Sequence, residues 1–147
     1  MHIRLARSTE TDALVTLWRR SVVATHTFLA MSDVEALLPI VRDKVLGELE
    51  VWVLENGGTP MGFMALYHAS LEALFIDPEQ RRRGGGRLLL NHARSLKGPL
   101  TVDVNEQNPH ALQFYLAEGF EVVGRSELDG TGRPFPLLHL RDSWQDS

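Results

Sequence analysis

The chain has no cysteine among its 147 residues, so disulfides, thiolate metal sites and a cysteine nucleophile are all excluded. It has no apolar run of membrane-spanning length, which argues against a transmembrane helix and a membrane partner. The opening Met1-His-Ile-Arg-Leu-Ala-Arg7 offers no apolar h-region. No secretory signal is therefore expected, and the expected location is cytoplasmic. Six histidines, His2, His26, His68, His92, His110 and His139, show no metal-ligand spacing such as His-x-x-x-His, so no metal is expected. A Gly-x-Ser-x-Gly elbow is also missing, which argues against an α/β-hydrolase. Positive charge is not in excess: 15 Lys and Arg face 19 Asp and Glu, a net −4 that argues against a nucleic-acid partner.

What is present fits one globular domain spanning residues 1–147, with 44% hydrophobic and 23% charged residues. His2 to Arg7 alternates as a short strand. Thr9 and Asp12 open a helix with Leu14, Leu17, Trp18 and Val22 on one face. Ser32-x-x-Glu35 opens another, carrying Leu37, Leu38, Val41, Val45 and Leu49. Between them Ala24-Thr-His-Thr-Phe-Leu-Ala30 reads as a break able to line a cleft. Val51–Leu54 and Met61–Tyr67 read as a hairpin across Asn56-Gly57-Gly58. A strand near 71–77 precedes a helix with Leu89, Ala93 and Leu96 inward, ending around Lys97-Gly98. Leu100–Val104 is a strand, Asn108-Pro109 starts a helix that Gly119 ends, and residues 121–127 and 137–140 are final strands. The order β-α-α-β-β-β-α-β-α-β-β predicts a mixed sheet covered by helices, in the α/β or α+β class.

The segment Leu71-Glu-Ala-Leu-Phe-Ile-Asp-Pro-Glu-Gln-Arg-Arg-Arg-Gly-Gly-Gly-Arg-Leu-Leu-Leu90 is the most informative stretch. It reads strand, basic glycine turn, helix. Glycines let backbone N–H groups approach a ligand, and a helix N-terminus adds donors and partial positive charge, which suits a phosphate. A P-loop is ruled out because no Lys stands at the required spacing. The dinucleotide fingerprint fails because position 89 is leucine rather than glycine.

A third pattern is satisfied. Arg81-x-x-Gly84-x-Gly86 resembles the pyrophosphate-binding motif of the GNAT family, the Gcn5-related N-acetyltransferases. Asn108-Pro-His-Ala-Leu-Gln-Phe-Tyr-Leu-Ala-Glu-Gly-Phe120 is similar to that family's next landmark, Asn-x-x-Ala-x-x-Phe-Tyr-x-x-x-Gly-Phe, at every named position. The two occur in the family's order with a strand between them, and the resemblance covers essentially the whole chain. Ala24–Phe28 and Pro134–His139 are further similar to the small bacterial YjaB-like branch.

The resemblance implies a mostly antiparallel central sheet flanked by helices, and acetyl-coenzyme A as donor to an amine acceptor. It implies that backbone from Arg82 and Arg83 through Gly84, Gly85 and Gly86 to Arg87 cradles the pyrophosphate, with Arg81 beginning the motif. The pantetheine arm would run beside Leu74, Phe75 and Ile76, a backbone N–H there meeting the acetyl oxygen. Asn108 either caps its helix or faces the coenzyme arm, and the two roles are compatible. Tyr115 would stabilise or protonate the leaving thiolate; its bland alternative is a core aromatic beside Leu112 and Leu116.

The base has two candidates. Several relatives use a strand glutamate where this chain has Ser70; Glu72 shares that strand face, and His26 lies in the helix break. Asp103 and Asn105 are candidates to reach the acceptor. An acyl-coenzyme A sensor without catalysis is the alternative to an enzyme. The acceptor itself, from small amine to protein lysine, is not specified by these residues, and either a monomer or a homodimer is compatible with them.

Overall fold

The computed structural model describes residues 1–25, 28–80 and 83–144. His26, Arg81 and Arg82, named above as site candidates, lie outside the described residues. The chain forms two compact units, one of residues 1–67 and 72–92, the other of residues 68–71 and those from Ala93 onward.

The first unit begins with β1 (His2–Leu5), a short 3-10 turn at Ser8–Glu10 and helix α1 (Thr11–Thr25). Arg4 fastens this opening. Its guanidinium forks onto the Glu10 carboxylate at 2.7 and 2.8 Å and reaches Glu55 at 2.9 Å. Glu10 also accepts the Arg7 backbone N–H at 2.7 Å, so the first turn is capped from inside. The Arg4 hydrogen bond is the largest influence on that carboxyl and helps hold it at about 2, against an ordinary 4.5.

Helix α2 (Met31–Ile40) does not start on the Ser32–Glu35 pair. Asp33 accepts the Ala30 N–H at 2.9 Å, which places the cap two residues earlier. Pro39, lacking an N–H, sits inside α2; a π turn at Val41–Val45 follows, and α3 (Leu46–Glu48) closes the segment. Strands β2 (Glu50–Asn56) and β3 (Thr59–Tyr67) form the expected hairpin. Gly57 and Gly58 have φ of 59° and 84°, the left-handed pair that a two-residue I′ turn requires. Leu14, Leu17, Trp18 and Val22 of α1 bury against Val34, Val41, Val51, Val53, Phe63 and Ala65, one apolar core.

Strand β4 (Ser70–Ile76) and helix α4 (Gly85–Lys97) each run from one unit into the other. The second unit adds β5 (Thr101–Asn105), α5 (Pro109–Ala117), β6 (Phe120–Ser126) and β7 (Leu137–Asp142). β5 pairs antiparallel with β7, β7 antiparallel with β6, and β4 parallel with β5 at Ser70 and Leu71. The seven-stranded order is β1-β2-β3-β4-β5-β7-β6. The element order and the mostly antiparallel mixed sheet agree with the sequence reading.

One inward position differs. Leu96 is 45% exposed, while Leu90 and Arg94 join Leu89 and Ala93 in the buried stripe of α4. Arg94 is accommodated by Asp142, whose carboxylate it grips at 2.9 and 3.0 Å, and by the Glu118 carbonyl at 2.6 Å. Among the described residues no helix is long and apolar enough to cross a membrane.

Candidate active site

The strand–turn–helix segment is built as its residues require. Leu74, Phe75 and Ile76 are half-buried on the last part of β4, beyond the Ser70–Leu71 pairing with β5. The chain then turns at Asp77, whose N–H donates to Met61 O at 2.7 Å. The Asp77 carboxylate accepts the Glu79 N–H at 3.0 Å and meets Arg20 of α1 at 3.1 Å. This buried aspartate therefore sets the exit of β4 from three directions.

The glycines divide the work. Gly84 has a φ of 77°, a conformation that favours glycine, and is exposed. Gly85 starts α4 and is needed for packing, because a Cβ there would stand 2.9 Å from Leu54 and 3.3 Å from Ile76. Gly84, Gly85 and Gly86 thus bring main chain, not side chain, to the first turn of a 13-residue helix whose leading N–H groups lack intrahelical acceptors. Arg83 and Arg87 are exposed beside them. Such a turn can take a phosphate oxygen. Glu72 is exposed on β4, and its carboxylate makes no hydrogen bond or ion pair among the described residues.

In the second unit, Asn108 caps α5. Its Oδ1 accepts the Ala111 N–H at 3.3 Å, and its own N–H donates to Asn105 O at 2.9 Å. The side chain is 7% exposed. Tyr115 of the same helix is buried, with Phe114 and Phe120 edge-on at 5.1 and 5.3 Å. Burial pushes its phenol well above the ordinary 10, and the hydroxyl has no hydrogen-bond partner among the described residues. The core reading of Tyr115 therefore holds for its ring. Its hydroxyl is a protonated donor at neutral pH.

Elsewhere in the second unit, three groups that the sequence reading did not connect come together: Ser126, His139 and Asp103 lie in one hydrogen-bonded chain across β6, β7 and β5. Strand alternation places Asp103 and His139 outward, but their pairing depends on a register that the sequence does not display.

With this geometry in view, the comparison with known proteins is decisive. The acetyltransferase (GNAT) domain matches residues 47–122. The chain belongs to the GNAT acetyltransferases. The peptidyl-lysine N-acetyltransferase YjaB of Salmonella typhimurium is 45% identical over 141 residues, 95% of this chain and 97% of that protein. The solution structure of apo-form YjaB from Escherichia coli matches with a TM-score of 0.90 and 46% identity, covering 98% of each chain. At 20% identity and a TM-score of 0.67, yncA of Salmonella typhimurium, solved with its cofactor acetyl-CoA, shares the fold over 100% of this chain and 95% of its own. This GNAT protein is an acyltransferase, an N-acetyltransferase with acetyl-coenzyme A as cosubstrate. The GNAT resemblance read from the two motifs, and its YjaB-like branch, are borne out by these matches.

Proposed function

We propose that this GNAT enzyme, working as one domain over residues 1–147, transfers acetyl from acetyl-coenzyme A to the ε-amine of a lysine in a peptide or protein. The acceptor class comes from the printed function of the YjaB relative, which covers nearly the whole chain. The observation that carries the chemistry is the Tyr115 phenol, buried, protonated and without a hydrogen-bond partner among the described residues.

Pyrophosphate binding is assigned to the main chain of Gly84, Gly85, Gly86 and Arg87, with Arg81, Arg82 and Arg83 adding charge. Leu74, Phe75 and Ile76 receive the pantetheine arm along β4. Asn108 serves as the α5 cap through its Oδ1, and its side chain is also assigned to the coenzyme arm.

In the reaction the amine nitrogen bonds to the thioester carbonyl, the C–S bond breaks, and the electron pair goes to sulfur. Tyr115 donates a hydrogen bond to the developing thiolate. An ordinary thiol titrates near ~8.5, below this phenol, so complete proton transfer from tyrosine to sulfur is uphill. Stabilising the leaving group by hydrogen bonding is the role the burial supports. The oxygen end of the acetyl group needs its own donor, and a β4 backbone N–H near Leu74 or Phe75 is assigned that task.

The test is mass spectrometry of a lysine-containing peptide with a blocked N-terminus after incubation with enzyme and acetyl-coenzyme A. One added acetyl on the lysine side chain is expected. Acetylation confined to peptides with a free N-terminus would overturn the lysine assignment.

A further inference from the structure

A turn that presents main chain to a ligand has to be held at both of its ends. The far end of the glycine turn is held by packing, since a Cβ at Gly85 would stand 2.9 Å from Leu54. The near end is Asp77, and every polar atom of that residue is engaged. Its N–H donates to Met61 O at 2.7 Å, and its carbonyl accepts the Gln80 N–H at 2.8 Å. Oδ1 accepts the Glu79 N–H at 3.0 Å, and Oδ2 faces Arg20 Nη1 at 3.1 Å. Three of these partners are main chain. The fourth is a cation brought by α1, and all of these residues belong to the first unit.

Burial shows which partner depends on the other. The Asp77 side chain is 12% exposed and that of Arg20 47%. Water can solvate the guanidinium without Asp77, whereas a carboxylate so far buried needs its counter-charge. Arg20 also meets Glu79 at 3.3 Å, but that carboxylate is 77% exposed, and ion pairs in water contribute little. The contact with Asp77 is therefore the one with a structural consequence. Arg20 projects from a fixed platform, because Leu17 and Trp18 of the same helix are buried in the apolar core.

We propose that Arg20 is a positioning residue for the donor site. By holding the Asp77 carboxylate it fixes the turn whose main chain, from Gly84 to Arg87, takes the pyrophosphate. This rests on the pyrophosphate assignment made above. Without Arg20 the carboxylate turns toward water, and its bond to the Glu79 N–H is lost with it. β4 keeps its place, because the bond to Met61 is made by the Asp77 main chain. The loss therefore falls on the phosphate donors beyond the turn and spares the pantetheine arm along β4. Arg20 acts through Asp77 and does not itself touch the coenzyme.

The experiment titrates coenzyme A, and separately pantetheine, which lacks the pyrophosphate, into wild type, Arg20→Met, Arg20→Lys and the double variant Arg20→Met with Asp77→Asn. Calorimetry gives each Kd. Arg20→Met should weaken coenzyme A by about 10-fold, the scale of one lost charge-assisted hydrogen bond, and pantetheine by less than about twofold. Arg20→Lys should keep most of the affinity. The double variant should bind coenzyme A better than Arg20→Met alone, because the asparagine amide still accepts the Glu79 N–H and no buried charge is left uncompensated. An Arg20→Met protein that binds coenzyme A like wild type overturns the proposal. So does an equal loss for both ligands, which marks a general structural role. A double variant as weak as Arg20→Met also overturns it, since that is the result of a direct contact between Arg20 and phosphate. If Arg20→Met does not fold, Arg20→Gln carries the same test, a smaller loss confined to coenzyme A being expected and any other pattern overturning it. Wild type that binds pantetheine as tightly as coenzyme A, or binds neither, overturns the pyrophosphate assignment as well, and so differs from failure of Arg20 alone.

Discussion

Removing one member of the Arg94–Asp142 pair should destabilise the protein far more than removing both. The Asp142 side chain is fully buried and the Arg94 side chain 5% exposed. They share two charge-assisted bonds of 2.9 and 3.0 Å. Arg94→Met leaves the Asp142 carboxylate with the N–H of Trp144 at 2.9 Å and, more weakly, that of Leu100 at 3.4 Å. It also removes a guanidinium stacked 5.4 Å from the Phe120 ring and bonded to the Glu118 carbonyl. An uncompensated buried charge costs about 3–5 kcal/mol. At about 2–4 °C per kcal/mol for a chain of this size, the melting temperature should fall by on the order of 10 °C. Asp142→Leu should do the same, because it takes the fully buried carboxylate from a guanidinium that is itself 5% exposed. The double variant loses no second charge, only the acceptor for two N–H groups, so it should be less unstable than the sum by about 2 kcal/mol or more. Urea unfolding of the four proteins measures this. Additive losses, or single variants within about 1 kcal/mol of wild type, would refute the reading of this pair as a mutually dependent buried charge.

Other outcomes follow from the same kind of reasoning. Gly62→Ala sets a Cβ 2.7 Å from the Phe75 carbonyl and 2.6 Å from Ile76 Cδ1, and main chain does not yield cheaply. It should cost about 1–3 kcal/mol by overpacking and weaken acetyl-coenzyme A binding in calorimetry; wild-type affinity would remove β4 from the donor site. Glu10 has a folded pKa near 2, below its ordinary 4.5, so its contribution to stability is present above about 4.5 and is lost as pH falls through 2. The stability gap between wild type and Glu10→Gln should therefore be constant at neutral pH and shrink between these two values in acid unfolding curves. A gap that widens in acid would contradict the Arg4–Glu10 account.

Much of this fold is legible because its signals are local. Asn56-Gly57-Gly58 demands left-handed backbone, and the hairpin forms there. Asn108-Pro109 caps and starts α5 within four residues. The apolar face of α1 needs only a 3.6-residue period. The differences have non-local causes. Arg94 looks like surface until Asp142, 48 residues away, is brought beside it. Gly85 looks like a ligand-facing glycine, yet it is small because Leu54 and Ile76 press on it. The start of α2 shows a local ambiguity, since Ser32 and Asp33 are both capping residues and the Ala30 N–H selects the longer-reaching carboxylate.

The polar motifs and clusters divide in the same way. Arg81–Gly86 and Asn108–Phe120 are contiguous motifs and announce the donor. Ser126, His139 and Asp103 stand 13 and 36 residues apart, and only strand register brings them together. A search of the histidines for metal spacing passes over His139, because its partners are a hydroxyl and one carboxylate.

The central claim is that Tyr115 supports departure of the coenzyme A thiolate during acetyl transfer to lysine. Turnover of the blocked lysine peptide by Tyr115→Phe, read alongside acetyl-coenzyme A affinity by calorimetry, tests it most directly. Phenylalanine keeps the packing against Phe114 and Phe120 and removes only the hydroxyl. The account expects kcat to fall about 100-fold while affinity stays within about twofold; unchanged kcat would contradict it.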